Sequence, residues 1–169
     1  FFVYGSHDAD KVPTDVEPLL IEAAMAFGTG HHGTTQGCLE ALDRLSKAGL
    51  VGQNVVDIGC GTAILAMAAA RIWPNPVLAS DIDQVAVDVA RENVLANHLN
   101  GRVTCIEAAG FDHPTLAGAA PFDLIFANIL KGPLIALAPD ISHNITAGGH
   151  VILSGLLNEQ AADVIYAYH

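Results

Sequence analysis

From Asn54 to Ile64 the chain reads Asn-Val-Val-Asp-Ile-Gly-Cys-Gly-Thr-Ala-Ile, and few folds can use such a stretch. A β-branched pair, Val55 and Val56, leads to an acid, Asp57. Glycines follow at positions 59 and 61, and an apolar helical pattern then begins. This is the succession of a strand, a tight turn and a helix start. Residues without side chains let a ligand lie against the backbone, and the first N–H groups of a helix have no partner within it. About twenty residues on, a second strand, Val77-Leu-Ala-Ser-Asp81, closes on another acid, at the spacing that suits the hydroxyl pair of a ribose. The expectation is a doubly wound, Rossmann-like α/β sheet with a nucleoside site at its carboxyl edge.

Glycine turns of this kind open both dehydrogenases and methyltransferases. The dinucleotide fingerprint needs a third glycine with two residues between it and the second. Ile64 occupies that place, so the NAD reading fails locally. The turn resembles instead the Asp-x-Gly-x-Gly-x-Gly signature of class I S-adenosylmethionine-dependent methyltransferases, with Ala63 in place of the last glycine and its methyl group expected near the ligand.

Composition narrows the function further. The 169 residues suit one α/β domain with a proper core. Mean hydropathy is +0.41, yet the apolar run from Ala63 to Ala70 closes at Arg71, too short to span a bilayer. Seven Lys plus Arg against eighteen Asp plus Glu give a formal charge of −11. That balance speaks against direct nucleic-acid binding and for a basic partner. The three cysteines, Cys38, Cys60 and Cys105, are scattered, which fits a reducing cytoplasm better than a disulfide framework. Only His31 and His32 of the eight histidines are neighbours, and no metal site is expected.

The rest of the chain alternates strands and helices. Residues 1 to about 17 are polar and turn-rich, and read as a connector. A loop, Gly28-Thr-Gly-His-His-Gly33, precedes a helix through Cys38, Leu39, Leu42 and Leu45, with Thr34 or Thr35 placed to cap it. Thr62 is placed to cap the helix after the glycine turn, which stops at Trp73-Pro74. Its N–H groups suit a carboxylate such as that of methionine. Ile82 is assigned to a face of the adenine, and Asp83 to the cap of a helix over 84–98. A third strand covers 102–106. Phe111 is expected in the core, with Asp112 and His113 solvated in a loop. The nearly all-apolar strand Phe122–Asn128 reads as buried on both faces and carries Asn128 to the ligand edge. A helix beginning near Gly132-Pro133 and carrying Leu134, Leu137 and Ile141 is expected to end near Gly148-Gly149. A fifth strand over 150–154 and a helix from about Asn158 follow.

Four motifs occur in one order: Phe27-Gly-Thr-Gly-His-His-Gly-Thr-Thr35, Asp57-Ile-Gly-Cys-Gly61, Asp81-Ile-Asp83 and Ala127-Asn-Ile-Leu-Lys-Gly-Pro133. Together they resemble the ribosomal protein L11 methyltransferase family (PrmA), over residues 24 to 157. The loop and the Asn-Ile-Leu motif are far more specific than the glycine turn. Gly33 stands where many members have proline. The resemblance implies an S-adenosylmethionine-dependent protein N-methyltransferase acting on amino groups, lysine ε-amine or N-terminal α-amine, of a basic large-subunit ribosomal protein. It implies that Thr35, Gly59, Asp81 and Asn128 bind the cofactor, with Gly61 and Ile82 beside them and Phe27, Gly28, Thr29 and Gly30 over the methionine end. It also implies residues 1–20 as a connector from an N-terminal substrate-recognition domain. Residues 21–169 are then a catalytic domain that lacks its two closing C-terminal strands.

Sulfonium methyl transfer is an in-line displacement, so alignment and exclusion of water are most of what the enzyme supplies. Asn128 is the candidate to orient the neutral amine. No dedicated base is evident, though His31 or His32 could relay protons. A glutamine-amide methyltransferase ranks lower, because that class shows Asn-Pro-Pro-Tyr where this chain has Asn128-Ile-Leu-Lys131. A non-catalytic nucleoside-binding module is the other alternative, distinguished by binding without turnover.

Overall fold

The apolar strand cores dictate a sheet covered on both faces, and the computed structural model, which describes residues 1–22 and 33–169, has that architecture. In chain order the elements are β1 (Phe2–Tyr4), β2 (Pro18–Leu20), α1 (Gly33–Lys47), β3 (Val55–Ile58), α2 (Ile64–Ile72), β4 (Val77–Asp81), α3 (Gln84–Ala96) and β5 (Val103–Glu107). Then come α4 (Pro114–Ala119), β6 (Phe122–Asn128), α5 (Lys131–Ala136), α6 (Ala138–Asn144), β7 (Ile145–Ser154) and α7 (Ala161–Ala167). Five strands form one parallel sheet in the order β5-β4-β3-β6-β7. The chain winds outward from β3 to β5, then returns to place β6 against the other side of β3. The crevice where ligands bind in such folds lies at that reversal, at the carboxyl ends of β3 and β6.

Strand side chains alternate between two cores. Val55, Val77, Ala79, Leu124 and Phe126 meet α1, α2 and α3 on one face. Val56, Ile58, Ile125 and Ala127 meet α4 to α7 on the other. Helix α2 is buried from Ile64 to Ala70, and its small Ala66, Ala68, Ala69 and Ala70 let it lie close to the sheet. Its end is fixed as the sequence predicts, with Trp73 extended at the C-cap. Arg102 closes that end by donating to the Ala70 and Trp73 carbonyls at 2.9 and 2.5 Å.

Several local expectations are corrected. Residues 1–20 contain more than turns: β1 and β2 pair in parallel, a short 3-10 helix over Ser6–Lys11 lies between them, and Leu19 is fully buried. Polar composition conceals this because buried side chains of α3 satisfy the β2 backbone. His113 is not simply solvated; its Nδ1 accepts from the Thr115 amide at 3.1 Å and caps α4, with Pro114 in the first turn. The single helix expected after Gly132-Pro133 begins at Lys131 and is two helices, since Pro139 starts α6. Gly148-Gly149 lies within β7, whose register against β6 shifts between Phe122 and Leu124. Phe111 is a core aromatic, 6.2 Å from the Phe122 ring centroid.

Candidate cofactor site

Strand β3 delivers Asp57 beneath the turn, and three residues of that turn have positive φ: Gly59 at 70°, Gly61 at 52° and Ala63 at 61°. The turn folds over the neighbouring strand. The Gly59 and Cys60 amides both donate to the Ser80 carbonyl, at 2.8 and 2.9 Å. Ala63, not Thr62, is the N-cap of α2, and it offers no side-chain acceptor to the helix. A left-handed alanine costs about 1–2 kcal/mol, which explains the usual glycine there. Its methyl group is fully buried in the core cluster of α1, α2 and α3 instead of facing the ligand crevice.

Asp81 ends β4, and its carboxylate is braced by backbone. Oδ2 accepts from the Gly61 amide at 2.9 Å, and Oδ1 accepts from the Asp83 amide at 3.0 Å. A carboxylate oxygen has two acceptor positions, so each retains one for a hydroxyl. The brace therefore aims the carboxylate and leaves it able to bind a vicinal diol. Beside it, Ile82 is 73% exposed, an open apolar surface for a planar base. Asp83 caps α3 as expected, accepting from the Val85 amide at 2.9 Å.

Across the crevice, β6 ends at Asn128, whose Nδ2 donates to the Thr35 hydroxyl at 3.3 Å. Thr35 is thus no helix cap: it is buried on α1, two residues past that helix's first, Gly33. The strand partner of Asn128 is Ser154, whose hydroxyl donates to the Thr34 carbonyl at 3.3 Å. Two adjacent strand ends thereby hold the first turn of α1. Ser154 escaped the sequence reading because nothing local sets it apart from other strand-terminal serines. Phe27, Gly28, Thr29, Gly30, His31 and His32 lie outside the described residues.

Asp57 is buried and accepts from the Ala66 amide at 3.2 Å. Burial raises its pKa to about 7, opposed by that amide and assisted by the charge of Asp81. An unfolded aspartate titrates near 3.9. Between about pH 4 and 7 the folded state thus binds the extra proton, and the contribution of this group to stability falls as pH rises through that window, by about 1.4 kcal/mol per pH unit. Urea unfolding of the natural chain and Asp57→Asn should show this as a stability difference that changes between pH 5 and 7. A difference that stays constant over that range refutes the assignment.

The thiols are not nucleophiles. Burial pushes Cys38 and Cys105 up to about 11, and Cys60 well above its ordinary value. Among the described residues no cluster of His, Cys, Asp and Glu is arranged to hold a metal ion, and no helix is long and apolar enough to cross a membrane.

The site fits a nucleoside carrying a carboxylate: a braced diol acceptor, an exposed apolar face and a helix N-terminus without a side-chain cap converge on one sheet edge. A family model described as ribosomal protein L11 methyltransferase (PrmA) matches residues 1–169. The chain belongs to that family. It is 48% identical over 168 residues to the ribosomal protein L11 methyltransferase of Brucella suis, covering 99% of this chain and 59% of that protein. Identity to the Chelativorans sp. protein of the same name is 51% over 168 residues, covering 99% and 58%. The chain thus spans less than two thirds of these PrmA relatives. The crystal structure of the ribosomal protein L11 methylase from Lactobacillus delbrueckii subsp. bulgaricus matches with a TM-score of 0.77 at 31% identity, over 92% of this chain and 76% of that one. The fold is accordingly the Rossmann-like class I methyltransferase fold.

Proposed function

We propose that these residues are the catalytic portion of a cytoplasmic S-adenosylmethionine-dependent enzyme that methylates amino groups of ribosomal protein L11. In this reading residues 21–169 carry the chemistry, and residues 1–20 join them to a substrate-recognition domain. The observation that carries the proposal is the Asp81 carboxylate, aimed by the Gly61 and Asp83 amides at the switch point of the sheet. Family membership supplies the substrate, and the formal charge of −11 suits a basic ribosomal protein.

S-adenosylmethionine, when bound, supplies a methyl group on a positively charged sulfur, open to in-line attack. Asp81 accepts the ribose hydroxyls, Ile82 covers the adenine, and the N-terminus of α2 faces the methionine carboxylate. With Nδ2 of Asn128 donating to Thr35, its Oδ1 is the atom available to accept an amine N–H and turn the nitrogen lone pair toward the methyl group. An apolar surrounding lowers the pKa of a lysine amine and favours the neutral nucleophile. As the N–C bond forms, the sulfur keeps the electron pair of the breaking bond, and the methylated ammonium later loses its proton to water.

Calorimetry of the full chain with S-adenosylhomocysteine and with NAD tests the cofactor class. Binding of the first alone is expected; binding of NAD alone refutes the proposal. Asn128→Ala should lower methyl transfer to ribosomal protein L11 by about a hundredfold, the scale of misplacing a reacting group. An unchanged rate removes Asn128 from the mechanism.

A further inference from the structure

Helix α3 carries two asparagines, Asn93 and Asn97, within a stripe that is otherwise apolar (Val87, Ala90, Val94). Both are almost fully buried, at 2% and 4% exposure. A carboxamide buried there must be hydrogen-bonded on both ends, so its partners report what it holds. Asn97 pairs with β2 as a strand would. Its Oδ1 accepts from the Leu20 amide at 2.9 Å, and its Nδ2 donates to the Leu20 carbonyl at 2.7 Å and to the Asn93 carbonyl at 2.8 Å.

Asn93, one turn earlier, reaches two separate segments. Its Oδ1 accepts from the Glu22 amide at 3.3 Å, just past β2, and its Nδ2 donates to the Thr62 carbonyl at 3.2 Å, inside the glycine turn. The turn is consequently held from two sides. Asp81 takes the Gly61 amide from the crevice side, while Asn93 takes the next carbonyl along from the core side. Peptide planes are rigid, so fixing the Gly61 amide and the Thr62 carbonyl leaves little freedom to the backbone between them. That backbone is where a cofactor would lie.

We infer that Asn93 is a positioning residue for the cofactor site, setting the conformation of the glycine turn through the Thr62 carbonyl. It touches no substrate and acts through the turn. Asn97 supplies the internal comparison: it has the same chemistry on the same helix, yet grips only β2 and its own helix. The inference rests on the cofactor reading proposed above.

The test compares Asn93→Leu with Asn97→Leu in the full chain. S-adenosylhomocysteine affinity is measured by calorimetry, at a temperature where circular dichroism shows both variants folded. Both should melt earlier than the natural chain, since each loses buried hydrogen bonds. Asn93→Leu should also raise the dissociation constant by about tenfold, the equivalent of one buried hydrogen bond, while Asn97→Leu leaves it within about twofold. Asn93→Ser, too short to reach Thr62 but able to stay polar, should weaken binding similarly and serves if the leucine variant does not fold. An unchanged affinity in a folded Asn93 variant overturns the inference, as does an equal loss in Asn97→Leu, which would trace the effect to general loosening of α3. Failure of the natural chain to bind S-adenosylhomocysteine would instead overturn the cofactor reading itself, and this inference with it.

Discussion

Gly155→Ala is expected to lower stability by about 2–5 kcal/mol and to weaken cofactor binding with it. Gly155 follows β7 with φ at +85°, and an added Cβ there would strike the Ile129 backbone, 2.7 Å from its carbonyl carbon and 2.8 Å from its nitrogen. A left-handed alanine costs about 1–2 kcal/mol, and overpacking costs about 1–3 more. The obstruction cannot swing aside as a flexible side chain would, because it is the main chain directly after Asn128. Ile129 is also confined on its other side, since its Cγ2 lies where a Gly59 side chain would have to go. Any shift of Ile129 therefore drags Asn128 away from Thr35 or presses on the glycine turn. Gly101→Ala is the control: its φ is +84°, but nothing lies near its added Cβ, so it bears only the conformational cost. Urea unfolding followed by circular dichroism separates the two. Equal destabilisation would show that the Ile129 contact carries no energy.

Asp81→Ala should remove most of the affinity for S-adenosylhomocysteine, by a factor on the order of 10²–10⁴. Hydrogen bonds to a charged group contribute about 1.5–3 kcal/mol each, and the carboxylate retains one acceptor position per oxygen for the two ribose hydroxyls. The loss also frees the Gly61 and Asp83 amides, so part of it comes from the turn. Asp81→Asn distinguishes the two contributions, because it keeps one oxygen acceptor and removes the charge. It should bind with intermediate affinity. Calorimetry on the three proteins measures this, and an Asp81→Ala chain that binds as tightly as the natural one would move the ribose elsewhere.

Much of the fold was legible locally. The strands of a parallel sheet buried on both faces read as continuous apolar runs, and Val55–Ile58 and Phe122–Asn128 were placed almost to the residue. The turn was legible for a similar reason: Asp57, Gly59, Gly61 and Asp81 act through spacing along one βαβ unit. Boundaries failed where a single residue outweighed the pattern. Pro139 divided one expected helix into α5 and α6, and Ala63 took the cap that Thr62 was expected to supply.

The remaining features depended on contacts between distant parts of the chain. Thr35 looked like a cap because threonine before an apolar stripe usually is one; only the approach of Asn128, 93 residues away, gives its hydroxyl another purpose. Asn93 sits 71 residues from Glu22 and 31 from Thr62, and Gly155 matters solely because the Ile129 backbone crosses it. The sequence by itself determined the layers, the sheet and the position of the nucleoside acid, since strand patterning and turn chemistry are properties of neighbours. The tertiary structure alone decided what holds that acid, the turn and Asn128 in register. Those constraints are hydrogen bonds and excluded volumes between segments that meet only when the sheet is assembled.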